Sequence, residues 1–305
     1  MSKLILALDQ GTGGTKAVLF DEQGELVAKG FTPLASQYPD TGFVEQNPED
    51  ILDNVLTAVR HCLAQAAKSE HEVKDRVAAV GISNQRETFL LWDTQGTPLC
   101  NALVWQDKRA VSICNTLKDT EAEALVRRKT GLIIDPYFSG GKLAWLIQND
   151  PKIKQAVRSG VALFGTVDTW LLFRLTRGNS YYSDYTNASR TLLFDINSLS
   201  WDESLIKSFD VEGVRLPRTT PSSFAFGHST FEGLFPKPIP ISGMIGDSHA
   251  AAFGEGCFKP GQAKATLGTG SSILCNIGFQ PTASSQGMVT TICWATQERV
   301  DYSLE

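Results

Sequence analysis

Two short apolar segments, residues 4–8 and 16–20, stand on either side of the turn Asp9-Gln10-Gly11-Thr12-Gly13-Gly14-Thr15. Segments of this length are too short for helices, and a Gly- and Thr-rich connection this tight joins antiparallel strands. Asp21-Glu22-Gln23-Gly24 is a second turn before apolar residues 26–31. The start of the chain is therefore predicted to be a three-stranded antiparallel unit, which must cover an apolar face to be stable. The next strong signal supplies the cover. Asn47-Pro48-Glu49-Asp50 combines a capping side chain, a proline at the first helical position and two acids at the positive end of the helix dipole. Ile51, Leu52, Val55, Val59, Cys62 and Leu63 then recur at helical spacing.

Further strands are predicted at 77–83, 89–92, 101–105 and 161–164, and a helix from Gly140 and Gly141 to Asn149 with Ser139 as its cap. Strands alternating with helices indicate an α/β domain. Apolar residues 239–245 lead into a helix of small residues at Gly246-Asp247. Beyond it, 263–266, 272–277, 289–294 and 300–304 read as four short strands. This change of rhythm puts a domain boundary between 246 and 247. Four strands with no following helix leave an apolar face uncovered, so residues 247–305 read as the opening of a second, truncated domain. No fixed internal repeat or low-complexity segment is present.

Composition narrows the partners. Among 305 residues, 28 Lys and Arg face 33 Asp and Glu for a net charge of −5, without a basic run. That balance argues against nucleic acid and anionic membrane as partners, so any bound anion must be held locally. The six cysteines have no CxxC spacing and read as small buried hydrophobes rather than as a zinc site or disulfide framework. The N-terminal apolar run breaks at Asp9, unlike a secretory leader, and no run reaches the roughly 20 residues of a membrane span. A reducing cytoplasm is the expected compartment.

Five places could carry chemistry. The turn 9–16 exposes backbone N–H groups and hydroxyls suited to phosphate, with Lys16 beside it and Asp9 available to magnesium; its bland reading is a plain hairpin. Leu267-Gly268-Thr269-Gly270-Ser271-Ser272 is a second turn of the same kind, and two such hairpins could clamp one triphosphate. Neither fits a Walker loop or a dinucleotide fingerprint. Asn84-Gln85-Arg86-Glu87 follows a strand directly, where open α/β sheets bind ligands, and offers donors and acceptors to vicinal hydroxyls; the alternative is a surface salt bridge. Trp105 and Tyr137 could wall such a site or simply belong to the core. Asp247 could accept a proton from a substrate hydroxyl or merely cap its helix. His249 shows no partner in the sequence.

The ordered blocks ALDQGTGGTKAVLFD, GISNQRETFLLWD, NALVWQDKRA, KTGLIIDPYFSGGKLAWL, FGTVDTWLLFRLT, DYTNASRTLLFDI and GDSHAAAFGEGCFKPGQAKATLGTG resemble the FGGY carbohydrate kinases, and within them the glycerol kinase branch. The resemblance covers nearly the whole chain. It implies two ribonuclease H-like, actin-type domains with ATP and acceptor in the cleft between them. Residues 1–246 would form the acceptor-binding domain and 247–305 the start of the nucleotide-binding one. It implies transfer of a phosphoryl group from ATP, with Mg2+, to a primary hydroxyl of glycerol or a related small polyol. A ketose of the xylulose or ribulose type is the alternative acceptor.

By position, Asp9 becomes the magnesium-associated acid, and Thr12, Gly13, Gly14, Lys16, Thr269 and Gly270 the nucleotide contacts. Arg86, Glu87, Trp105, Tyr137, Asp247 and Ser248 hold the acceptor, with Asp247 the catalytic base. Homodimers or homotetramers are common in such kinases. Three positions depart from the glycerol kinase pattern. Lys16 replaces an arginine and so loses bidentate phosphate contact. Ser248 stands where Gln is usual and Ser272 where an aromatic is usual, which leaves a roomier, more polar pocket. The glycine-rich loop that binds fructose bisphosphate in bacterial glycerol kinases is absent ahead of residue 239. Rival readings are an actin-like ATP switch without an acceptor, against which Arg86, Glu87 and Asp247 argue, and a fragment that binds acceptor but is inactive. A sugar-responsive repressor would need a helix-turn-helix segment, and none is legible.

Overall fold

In the computed structural model, residues 2–68, 72–267 and 271–305 are described. Strands Leu4–Gly11, Gly14–Phe20 and Leu26–Pro33 form the antiparallel unit, with Ile5 opposite Phe20 and Gly11 opposite Gly14. Leu4, Leu6 and Leu8 are buried while Ile5 on the opposite face is 43% exposed, the period-two pattern of a strand. Helix Pro48–Ala66 covers the buried face. Asn47 caps it by accepting a hydrogen bond from Glu49 N, and Ile51, Leu52, Val55, Leu56, Val59, Cys62 and Leu63 are all buried. Each large aliphatic side chain taken from water contributes about 1.5–3 kcal/mol, so the stripe holds the helix more firmly than its cap does.

Strand Val77–Asn84 runs parallel to Leu4–Gly11, and Ile239–Gly246 parallel to Val77–Asn84. Ser223–Ser229 adds an antiparallel edge, giving a six-stranded sheet. Three neighbouring parallel strands therefore end side by side, at Gly11, Asn84 and Gly246. The crevice outside such carboxyl ends is where open α/β sheets hold ligands.

A smaller four-stranded sheet, Glu45–Gln46, Ala102–Leu103, Phe89–Trp92 and Leu163–Thr166, has its own core with helices Val111–Leu117, Glu121–Thr130, Ser139–Asn149 and Pro151–Arg158. Strands Ala263–Leu267, Ser271–Gly278, Thr290–Ala295 and Val300–Leu304 make a third sheet, which packs against helix Asp247–Gly254 and the single turn Tyr185–Ala188. All six cysteines are free thiols. Among the described residues no helix is long and apolar enough to cross a membrane.

Some local expectations shift. The strand expected at 101–105 is only Ala102–Leu103, because Asn101 turns its side chain to Glu45 and Trp105 N donates to Thr88 Oγ1. The strand expected at 161–164 is Leu163–Thr166. Ser139 does not cap its helix: Phe138 holds that position, and the Ser139 hydroxyl donates to Glu87 O at 2.8 Å.

Two carboxylates, Asp168 and Asp184, are buried with no cation paired to either among the described residues. Asp168 accepts from Thr166 Oγ1, Ser183 Oγ and Asp184 N. Burial, and then the charge of Asp184, push its pKa up to about 7. A folded-state pKa above the ordinary 3.9 means the fold binds a proton that the unfolded chain releases between about pH 4 and 7. Stability is thus full below that window and declines as pH rises through it, by up to about 1.4 kcal/mol per unit. Asp168→Asn, which stays neutral, should gain on the unmodified chain as pH rises from 5 to 8. Urea midpoints at both pH values check this, and an equal difference at each would contradict it.

Candidate functional site

The turn after strand Val77–Asn84 is built from interlocking amides. Gln85 Nε2 donates to Gln10 Oε1 at 3.1 Å and Gln46 Oε1 at 3.0 Å, while the side chains of Asn84 and Asn187 pair reciprocally at 2.9 and 3.0 Å. The anchored backbone forces Glu87 to a φ of 59°. Left-handed geometry at a non-glycine residue costs about 1–3 kcal/mol and persists where surrounding contacts hold it. Here it carries Arg86 and Glu87 into a cleft of about 520 Å3. Both are buried, at 5% and 1% exposure, so the surface salt-bridge reading fails. They do not pair with each other either.

Arg86 Nη2 meets Glu305 Oε1 at 2.9 Å, Nη1 donates to His249 Nε2 at 3.3 Å, and Nε lies 3.4 Å from Asp247 Oδ1. Glu87 Oε1 accepts from Arg190 Nε at 2.6 Å, and Arg190 Nη1 meets Glu305 Oε2 at 2.7 Å. Burial alone would raise the Glu305 carboxyl, but Arg190 and Arg86 hold it well below the usual carboxylate range. Ser272 Oγ donates to the same carboxylate at 2.9 Å. The ion network thus joins the ends of two strands from different sheets. His249 is buried and kept neutral, by burial first and by Arg86 second. Arg86 can only donate, so it assigns the His249 proton to Nδ1.

Asp247 opens helix Asp247–Gly254 and is not its cap, a position held by Gly246 without a side-chain bond. A Cβ on Gly246 would lie 2.8 Å from Arg86 Cγ, so the bare backbone there lets arginine and aspartate stand together. Withdrawal from water inside the cleft raises the Asp247 pKa, Arg86 opposes this, and Glu87 adds to the rise. Its side chain nevertheless remains 43% exposed, and it lines the cleft. Ser248 Oγ accepts from Lys264 Nζ at 3.2 Å, and Lys264 also donates to Thr266 Oγ1 at 2.7 Å.

Trp105 and Tyr137 line the same cleft with ring centroids 5.7 Å apart. Trp105 Nε1 donates to Thr12 Oγ1 at 2.9 Å, and Thr12 Oγ1 donates onward to Gln85 Oε1 at 3.2 Å. The Thr12 hydroxyl is therefore committed inside the protein, and its carbonyl accepts from Gln46 Nε2 at 2.7 Å. Gly13 has open space around it. Gly14 is required by the hairpin itself, because a Cβ there would sit 2.5 Å from Thr32 O and its φ is 152°. Asp9 accepts from Ser83 Oγ at 3.2 Å and lies 3.6 Å from Lys16 Nζ across the hairpin, both side chains being well exposed. Thr269 and Gly270 lie outside the described residues.

The structure thus gathers Thr12, Arg86, Glu87, Trp105, Tyr137, Asp247 and Ser248 around one cavity, with Asp9 and Lys16 on the adjoining hairpin. Sequence reasoning missed Arg190, Glu305 and Lys264. The available signal for Arg190 is a charge two residues ahead of the apolar run 192–194; for Glu305 and Lys264 there is none.

Residues 4–254 match the FGGY family of carbohydrate kinases, N-terminal domain. A glycerol kinase of Halorhodospira halophila is 45% identical over 305 residues, 99% of this chain and 59% of that protein. One from Bacillus cereus is 42% identical over 307 residues, 61% of its length. The crystal structure of Plasmodium falciparum glycerol kinase with ADP superposes with a TM-score of 0.91 at 36% identity, over 99% of this chain and 60% of that one. The chain spans about three fifths of each.

Proposed function

Because the chain belongs to the FGGY family of carbohydrate kinases, we propose that the kinase built on it transfers the γ-phosphoryl group of ATP to a primary hydroxyl of glycerol or a related small polyol. One observation carries the reading: a carboxylate of raised proton affinity, Asp247, faces an open cleft 3.4 Å from a guanidinium whose other nitrogens are already engaged. A carboxylate so placed accepts the hydroxyl proton while the hydroxyl oxygen bonds to the γ-phosphorus and the bond to ADP breaks. Arg86, Glu87, Trp105, Tyr137 and Ser248 orient the acceptor, and positioning of this kind accounts for much of phosphoryl-transfer catalysis.

The backbone of Thr12, Gly13 and Gly14 with Lys16, and Thr269 with Gly270 from the second turn, would contact the phosphates. Asp9 would hold magnesium. It suits that ion because its half-exposed carboxylate is a hard oxygen donor, and magnesium is usually bound through one or two carboxylates with phosphates and waters. When bound, magnesium neutralises charge developing on the phosphates. The same reading divides the chain at 246/247 into acceptor-binding and nucleotide-binding parts, and sets it in a reducing cytoplasm where its six thiols stay free.

Charge favours a neutral acceptor. Among the described residues, Arg86 and Arg190 in the cleft wall are paired with Glu87, Glu305 and Asp247, and Lys264 beside Ser248 leaves cations and carboxylates equal in number, so an acidic sugar would bring an unbalanced negative charge. Ser248 and Ser272 leave small hydroxyls where a longer polyol or ketose could bind. We expect kcat/KM for glycerol to exceed that for glycerate by at least about 100-fold, since binding an acid here leaves a charge unpaired. Initial rates at fixed Mg-ATP with glycerol, glycerate, erythritol and xylulose check this. Comparable rates on glycerate would refute the neutral-acceptor reading, and a preference for xylulose would move the acceptor to the ketoses.

A further inference from the structure

Lys142 is a basic residue that the proposed reaction does not use, yet it lies fully buried in the first turn of helix Ser139–Asn149. That place is unfavourable twice over. The helix dipole disfavours a cation near its N-terminus, and removing an ammonium from water is costly without a close counter-charge. No carboxylate of the described residues stands within 4.0 Å of it. What Lys142 holds is backbone: Nζ donates to Tyr137 O at 2.8 Å and reaches Trp105 O at 3.5 Å. Three residues earlier, on the same side of the helix, Ser139 Oγ donates to Glu87 O at 2.8 Å.

One helical turn thereby grips the main chain of three residues that line the cleft, from three different loops. We propose that Lys142, assisted by Ser139, is a positioning residue that sets the acceptor pocket by fixing the backbones of Trp105 and Tyr137. The proposal rests on the reading of this cleft as the acceptor site.

The groups facing Lys142 are Glu87 on the strand-end turn, Asp107 on the Trp105 loop, Cys114 on helix Val111–Leu117 and Asp135 ahead of Tyr137. Burial pushes the lysine down to about 8, against the pull of Glu87 and Asp107. Above that pH the amine is neutral and its bonds to the carbonyl oxygens lose their charge assistance. Acceptor affinity should weaken there while nucleotide affinity does not.

The test is the pH profile, from 6.5 to 9.5, of acceptor KM, ATP KM and kcat in the full-length kinase and in Lys142→Met and Ser139→Ala. The unmodified enzyme should show acceptor KM rising several-fold above pH 8 with ATP KM flat. Lys142→Met should raise acceptor KM about tenfold at pH 7, change ATP KM less than about twofold, and lose the alkaline rise. Ser139→Ala should raise acceptor KM by about two- to fivefold and keep the alkaline rise, because its lysine is intact.

A flat acceptor KM in the unmodified enzyme, or a rise that persists in Lys142→Met, overturns the proposal. So does an equal loss in kcat and both KM values. If Lys142→Met does not fold, the unmodified profile and Ser139→Ala decide. Absence of turnover with every polyol removes the acceptor reading and this proposal together, whereas turnover with a flat profile removes only the proposal.

Discussion

Asp247→Asn in the full-length kinase should lower kcat by about 10²–10⁴ while shifting acceptor KM less than about threefold. Asparagine keeps the size of the side chain and an oxygen that can still accept from Ser248 N. It cannot take a proton, so only the transition state suffers. The pH profile separates a base from a mere contact. With its pKa raised, chiefly by withdrawal from water, Asp247 loses its charge at a pH above the ordinary carboxylate value. In the unmodified enzyme kcat should therefore fall on the acid side as the carboxylate protonates. The residual activity of Asp247→Asn should lack that limb. Near-normal turnover in the variant would take Asp247 out of the base role.

The second large effect is on stability. The Glu87 and Arg190 side chains are 1% and 2% exposed and meet at 2.6 Å, with Glu305 on the other arm of the arginine. A buried pair of this kind adds little over an apolar replacement of both partners. Removing one partner strands a charge, at about 3–5 kcal/mol. Arg190→Met should lower unfolding stability by that amount. Glu87→Gln in the same chain should recover part of the loss, because the stranded charge has gone. A double-mutant cycle in urea measures the coupling, expected at about 1–3 kcal/mol. Additive losses would mean that the two side chains fold independently of each other.

Local signals made much of this protein legible. The hairpin at 9–16, the Asn47 cap and the apolar stripe after it are short-range patterns, and the structure repeats them nearly residue for residue. The parallel strand ends that bring Asp9, Arg86 and Asp247 together follow from alternating strands and helices. What stayed hidden has long sequence separation. Arg86 and Glu305 are 219 residues apart, and nothing near either one names the other. Arg190 reaches Glu87 over 103 residues. Ser139 read as a cap because its own sequence neighbours fit one; its partner, Glu87 O, lies 52 residues away on another element. Nothing in the sequence marks Lys142, because a lysine in an amphipathic helix ordinarily faces water, and only the fold shows this one turned inward.

If this cleft sends a phosphoryl group to a polyol hydroxyl, phosphomonoester and ADP must form together. Phosphorus NMR of a reaction containing the full-length kinase, Mg-ATP and glycerol follows both products at once. One phosphomonoester of glycerol is expected for each ADP formed, with ADP appearing only when acceptor is present. ADP accompanied by inorganic phosphate at a rate no polyol changes would contradict it, and would make the chain part of an ATP-driven switch.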